Sequence, residues 1–251
     1  MRACFARGNL NLKGFPLLPK KFCEHPLHNR GAFNTFLTWI KLLQFEHINW
    51  VIDVGANHGD FSEAVTALFP KTNVLLVEPL TQLHPELESR CSNKNGRWLL
   101  ERAAIGASES VMPIYIANEN DAIGSLAGFS NDYRAANPEM NSVREELCTV
   151  TTLDKLVASH QIQTVDLLKI DVEGFEFEVL RGATLTLPKT RAVIIEVSFI
   201  RKATNVENPL LELLTQLTKH GFDVVEIIPS LYDPKDTWKP LEFNVVARRR
   251  T

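Results

Sequence analysis

The sequence predicts an α/β domain built on a doubly wound sheet, and three observations predict it. Short apolar runs alternate with segments of helical spacing along most of the chain. A glycine-rich turn, Asp53-Val-Gly55-Ala-Asn57-His58-Gly59, directly follows the first apolar run. Acidic residues stand immediately after or near the ends of several runs: Glu78, Asp171 and Glu196. In such sheets ligands sit beyond the carboxyl ends of the strands, near the point where strand order reverses.

The elements follow in order. Residues 1–30 are broken by Pro16, Pro19 and Pro26 and read as an irregular N-terminal arm. The remainder, 31–251, reads as a single domain. Phe33, Phe36, Leu37, Ile40 and Leu43 share one helical face, so a packed helix opens it. Trp50–Val54 is a strand. Phe61, Val65, Leu68 and Phe69 mark a helix that stops before Pro70. Asn73–Val77 is the second strand, and residues 81–91 form a helix with Pro85 in its first turn. Residues 98–105 and 111–117 flank Gly106-Ala-Ser-Glu-Ser110 and predict a β-hairpin. Residues 118–148 carry little periodicity, which suits a lid. Thr152 caps a helix running to His160, and Val165–Ile170 is a buried strand. Phe175, Val179 and Leu180 face inward on a helix that Gly182 ends. Ala192–Val197 is a strand. Asn208-Pro209 starts a helix that Gly221 stops, and 222–228 and 241–247 are the closing strands.

Composition narrows the function. Of 251 residues 45% are apolar and 23% charged, with a formal net charge of -3. That balance offers no basic surface for a phosphate backbone, so nucleic acid is not an expected partner. No segment is long and apolar enough to span a bilayer, and residues 1–15 lack the apolar stretch of a signal peptide. Cys4, Cys23, Cys91 and Cys148 show no metal or redox spacing and read as reduced thiols of a cytoplasmic protein.

The glycine turn has G-x-x-x-G spacing, with Asn57 where a dinucleotide fingerprint has its second glycine. Asn tolerates a left-handed backbone, so the turn survives, but a pyrophosphate fits less easily. A plain tight turn is the simpler alternative. Glu78, one βα unit later, can accept two hydrogen bonds from a ribose diol, or can be an exposed strand-end acid. Together they suggest an adenosine-containing ligand without separating S-adenosylmethionine from a nicotinamide.

The third signal runs through Thr152-Leu-Asp154 to Leu167-Leu-Lys-Ile-Asp171-Val-Glu173-Gly174-Phe-Glu176 and on to Gly182-Ala183. With "VIDVGANHGDFS", "VEP", "AAIG" and "TTLDKL", it makes residues 50–198 resemble the FkbM-type family of S-adenosylmethionine-dependent methyltransferases. The resemblance implies a Rossmann-like, class I methyltransferase sheet: mostly parallel, seven-stranded, with a final antiparallel strand. It implies O-methylation of a hydroxyl on a small-molecule, glycan or lipid acceptor. It further implies that Asp53, Gly55, Asn57 and Gly59 line the methionine and ribose end of the cofactor and that Glu78 holds the ribose. Pro79, Leu80, Ala103 and Ala104 would lie near the adenine, with Ser125 on a nearby loop.

An alcohol is a poor nucleophile at neutral pH, so a positioned base is needed. Asp171, at a strand end facing the transferred methyl, is the first candidate, and it also touches the cofactor site. Glu173 acts with it or stabilises the following helix. Glu196, an acid within Val193-Ile-Ile-Glu196-Val, is a structural hub or a third catalytic candidate. Lys169 is expected to pair with an acid. No spacing rule compels a metal on Asp171, Glu173 and Glu196, so none is expected. An NAD-linked oxidoreductase and a methyltransferase-like module without turnover are the competing readings.

Overall fold

The glycine turn at residue 55 marks the centre of the molecule, because the chain builds outward from it in both directions. The computed structural model describes residues 36, 39–40, 43–117, 123–128, 143–199, 208–233 and 236–250. The main sheet takes β1 (Trp50–Val54), β2 (Asn73–Val77), β3 (Trp98–Glu101), β8 (Val165–Ile170), β9 (Thr190–Ser198), β10 (Phe222–Asp233) and β11 (Asp236–Arg249). Their order is β10-β11-β9-β8-β1-β2-β3, and β11 alone runs against the others. Chain order reverses between β1 and β8, which opens a crevice at their carboxyl ends. A second sheet has the order β4-β7-β5-β6, from β4 (Ala104–Ile105), β5 (Ser110–Ala117), β6 (Ile123–Ser125) and β7 (Val143–Thr151).

Helices α1 (Asp60–Leu68), α2 (His84–Ser92), α3 (Leu153–Ser159), α4 (Glu176–Arg181) and α5 (Pro209–Lys219) join the strands. Their ends follow local chemistry. Gly59 precedes α1 with φ 82, and Pro85 sits in the first turn of α2. The Thr152 hydroxyl accepts the Lys155 N–H, and the Asn208 side chain accepts the Leu211 N–H. Two apolar cores form, one on each face of the main sheet. Leu76, Leu167 and Ile194 pack with Phe61 and Ile40 on one, and Leu75, Leu168 and Val193 with Val179 and Leu213 on the other. Period-two alternation sorts the strand residues between them. Toward the carboxyl ends of β1, β8 and β9, and at their level on β11, the first face turns polar at Asp53, Lys169, Glu196 and Asn244.

Two expectations need correction. Residues 98–105 and 111–117 form no hairpin. Trp98–Glu101 stays in the parallel sheet beside β2, where Trp98 is buried. β5 instead pairs with β7 over its whole length, from Ser110↔Val150 to Ala117↔Val143. β7 therefore begins inside the segment expected to be a lid; Arg144-Glu-Glu-Leu-Cys148 hid it because a half-exposed strand lacks an apolar run. Residues 118–122 and 129–142 of that segment, and the arm 1–30, lie outside the described residues. So does most of the opening helix; Phe36, Trp39 and Ile40 are helical, and Phe36 meets Phe61 edge to face at 5.5 Å. Among the described residues no helix is long and apolar enough to cross a membrane.

Candidate active site

β1 ends against a turn that only special residues can make. Gly55 has φ 74, and a Cβ there would lie 1.8 Å from the Asp171 carbonyl oxygen. Asn57 is also left-handed, with φ 51. The turn is held by the neighbouring strand, since the Gly55 and Ala56 N–H groups both donate to the Val77 carbonyl, at 3.0 and 3.2 Å.

Glu78 follows that carbonyl and is 4% exposed. One carboxylate oxygen accepts the Asn57 N–H at 2.8 Å and the other the Leu80 N–H at 2.9 Å. Burial pushes its carboxyl up to about 7, against these two hydrogen bonds and the Lys169 charge. Each oxygen keeps a further lone pair for another donor.

Lys169 joins the strands from below. Its ammonium donates to the Gly55 carbonyl at 2.8 Å and lies 3.4 Å from Asp53 and 3.3 Å from Asp171. Burial works against its charge, but the two carboxylates outweigh burial and hold it above the ordinary lysine range. The other Asp53 oxygen accepts the Ser62 hydroxyl at 2.7 Å. The expected pairing of Lys169 is thus a three-way tie of β1, β8 and the turn.

After β8 the backbone turns through Glu173, φ 57, and Gly174, φ 102. The Ser125 hydroxyl fastens this loop, donating to the Glu173 carbonyl at 2.6 Å. Buried Glu176 accepts the Gly174 N–H at 2.9 Å, and burial raises its carboxyl to about 7. Carboxylate oxygens of Asp171, Glu173 and Glu196 all lie within 4.8 Å of one another. Burial, with Asp171, Glu242 and Glu176 around it, raises the Glu196 carboxyl well above the usual range.

Glu78, Asp171 and Glu173 border an open cleft. Of the sequence candidates, Gly55, Asn57, Glu78, Pro79, Leu80, Ala103, Ala104, Asp171 and Glu173 line it. Asp53, Gly59 and Ser125 do not: they sit behind the lining, where they pair Lys169, start α1 and anchor the Glu173 loop. Glu196 joins from β9 through the acid cluster. β3 stops at Glu101, and Ala103 and Ala104 lie where the chain crosses into the second sheet. Sequence reasoning missed that sheet's contribution. Gly124 lines the cleft, and a Cβ on it would lie 2.7 Å from Leu80 Cδ2. It also missed Glu242 and Asn244, although polar residues alternating through Leu241-Glu-Phe-Asn-Val245 are a legible signal. The described thiols, Cys91 and Cys148, are free and both raised by burial, Cys148 to about 11, so neither is an activated nucleophile.

Residues 53–224 match the methyltransferase FkbM domain, which encloses the glycine turn, Glu78, the Asp171 loop and Glu196. The chain belongs to that family. The order of the main sheet, with its reversed β11, is that of a class I methyltransferase. The chain is 28% identical over 222 residues to the 31-O-demethyl-FK506 methyltransferase FkbM of Streptomyces tacrolimicus, covering 80% of each protein. It is 29% identical over 198 residues to the hexuronic acid methyltransferase AglP of Haloferax volcanii, covering 77% of this chain and 74% of AglP. It is 28% identical over 207 residues to the AMB antimetabolite synthetase AmbE of Pseudomonas aeruginosa. That match takes in 69% of this chain but 9% of AmbE.

Proposed function

We propose that this FkbM-family chain transfers the methyl group of S-adenosylmethionine to a hydroxyl oxygen of a small-molecule, glycan or lipid acceptor. The observation that carries the proposal is the cleft itself. A backbone corner without a Cβ at Gly55, and an almost wholly buried acid at Glu78, face small residues at Ala103, Ala104 and Gly124. A flat base fits against the small residues, and a ribose diol can donate to the lone pairs that Glu78 keeps. Two relatives point to the acceptor class by their names, one a hexuronic acid methyltransferase and one a methyltransferase of a demethylated oxygen of FK506.

When bound, S-adenosylmethionine supplies a methyl group already activated by its sulfonium. The chain's residues then have three tasks: to fix the acceptor oxygen in line, to exclude water and to take a proton. Asp171 lines the cleft just after β8, and Glu196 on the neighbouring β9 has a carboxylate oxygen within 4.8 Å of it, so either carboxylate can take the hydroxyl proton. Held in line with that methyl group, the acceptor oxygen would give up its proton to one of these carboxylates. Glu196, whose environment raises its carboxyl, is a stronger base than an ordinary glutamate once ionised.

Thermal melting tests the cofactor. S-adenosylmethionine and S-adenosylhomocysteine should each raise the melting temperature, and NAD should not. Stabilisation by NAD alone would replace the proposal with an oxidoreductase. Glu78→Ala should weaken S-adenosylhomocysteine at least tenfold, roughly the loss of one charge-assisted hydrogen bond. Asp171→Ala should lower turnover more than cofactor affinity, read from S-adenosylhomocysteine release with a panel of hydroxylated sugars and natural products.

A further inference from the structure

We propose that Asp171, Glu173 and Glu196 form a divalent-cation site beside the cleft, suited to a hard ion that prefers oxygen ligands. Their oxygens come from two strands and a loop, yet all lie within 4.8 Å of one another. Oxygens that share one ion with bonds of about 2.0–2.6 Å lie no more than about 5 Å apart, so the cluster can share a calcium, manganese or magnesium ion. The donors are carboxylates, with neither thiolate nor imidazole among them, which favours calcium, magnesium or manganese over zinc or copper.

Among the described residues, Asp171, Glu242 and Glu176 raise the Glu196 carboxyl and Lys169 opposes them. That ammonium is already engaged by Asp53, by the Gly55 carbonyl and by one oxygen of Asp171. A second observation points to a ligand independently. Asn244 is 4% exposed, and its amide nitrogen has no hydrogen-bond partner among the described residues. Asn244 pairs with Glu196 across the antiparallel ladder of β9 and β11. Directly opposed residues project to the same face, so Asn244 and Glu196 are neighbours on the polar side of the ladder. Half a turn of the amide presents its carbonyl oxygen as a further ligand; unturned, it donates to an oxygen held on the ion. The acceptor hydroxyl is such an oxygen. The site therefore deepens the methyl-transfer reading and rests on it for its role, but not for its existence.

The test needs no acceptor. The full chain is stripped with a chelator and titrated calorimetrically with CaCl₂, MnCl₂ and MgCl₂, with and without S-adenosylhomocysteine. The proposal expects one saturable ion per chain for at least one of the three metals. Glu196→Gln should lose about tenfold or more in affinity and Asn244→Ala several-fold, in line with the loss of ligands or of the groups that orient them. Glu109→Gln, an exposed acid away from the cluster, should bind as the parent does. Melting curves establish that each variant is folded, and Glu196→Gln keeps both the shape and the hydrogen-bonding capacity of a protonated glutamate. No saturable heat with any of the three ions up to about ten millimolar, above the range of known protein calcium sites, would overturn the proposal. So would unchanged affinity in folded Glu196→Gln. S-adenosylhomocysteine binding without ion binding removes the cation site and leaves the methyl-transfer reading. Ion binding without S-adenosylhomocysteine binding does the reverse.

Discussion

At the scale of single residues, the cleft depends on atoms that are absent as much as on those present. Gly55→Ala would place a methyl 1.8 Å from the Asp171 carbonyl oxygen on a backbone with φ 74. The left-handed backbone alone costs about 1 kcal/mol or more for a residue with a Cβ, and the clash displaces the loop carrying Asp171. The variant should melt several degrees lower and lose S-adenosylhomocysteine binding, both measurable in one thermal-shift series. Glu78 yields a pH prediction. Its carboxyl stands at about 7 in the unliganded protein, raised chiefly by burial and held back by the Asn57 and Leu80 N–H groups, by Lys169 and not by Asp53, which raises it further. Ribose hydroxyls that donate to it favour the charged form. Cofactor affinity should therefore climb as pH rises through 7, falling by up to about tenfold for each unit below it. Calorimetry across that range checks this, and Glu78→Gln should flatten the dependence. The glycine turn, Glu78 and Asp171 were legible because each stands just after an apolar run. Asp53 and Gly59 share their motif but point behind the cleft, and no spacing rule separates a lining residue from one supporting it.

At the scale of elements, α3 shows how a short motif fixes geometry far from its own position. Thr152 caps the helix, and Asp154 in its first turn accepts the N–H groups of Leu185 and Thr186, at 2.9 and 2.7 Å, and the Thr186 hydroxyl at 2.7 Å. The Asp154 N–H in turn donates to the Gly182 carbonyl at 3.0 Å. Asp154 therefore staples the start of α3 to the segment that follows α4. Gly182 is needed at that junction, where a Cβ would lie 2.0 Å from the Gly106 carbonyl oxygen. Asp154→Ala removes several charge-assisted hydrogen bonds at once and should destabilise the fold by about 2 kcal/mol, read from urea midpoints at unchanged slope. Helix ends were legible here because capping is local chemistry. Strand partners were not. Local alternation marks Ser110–Ala117 as a strand, but whether it pairs with Trp98–Glu101 or with Val143–Thr151 depends on which strand is already buried in the parallel sheet.

At the scale of the whole molecule, the reversal of strand order between β1 and β8 gathers acids from β1, β2, β8, β9 and the following loops around one lysine. The apolar runs made the main sheet readable, and the same runs concealed its cost, which is the burial of Asp53, Glu78 and Glu176. Glu78 and Glu176 both stand at about 7 when folded, against an ordinary value of 4.5. Below 4.5 both are protonated in the folded and unfolded chain alike. Between 4.5 and 7 the folded protein holds protons that the unfolded chain has released, so stability declines as pH rises and the loss is complete above 7. At about 1.4 kcal/mol per pH unit, each group contributes a loss on the order of 3 kcal/mol. Asp53 and Glu196, also raised by burial, act in the same direction. His220 opposes them: burial and Arg249 depress its pKa, so it costs stability as pH falls through 6.5, but it is mostly solvated and its effect is small. The ligand-free protein should therefore melt higher near about pH 5 than near about pH 8. Glu176→Gln, which keeps an acceptor for the Gly174 N–H, should narrow that gap, chiefly by raising stability at the alkaline end. Cofactor donors on Glu78, and a cation beside Glu196, favour the ionised carboxylates and should narrow it from the same side. A parent protein whose melting temperature rises steadily from the acid to the alkaline condition would show that these carboxyls are ionised when folded.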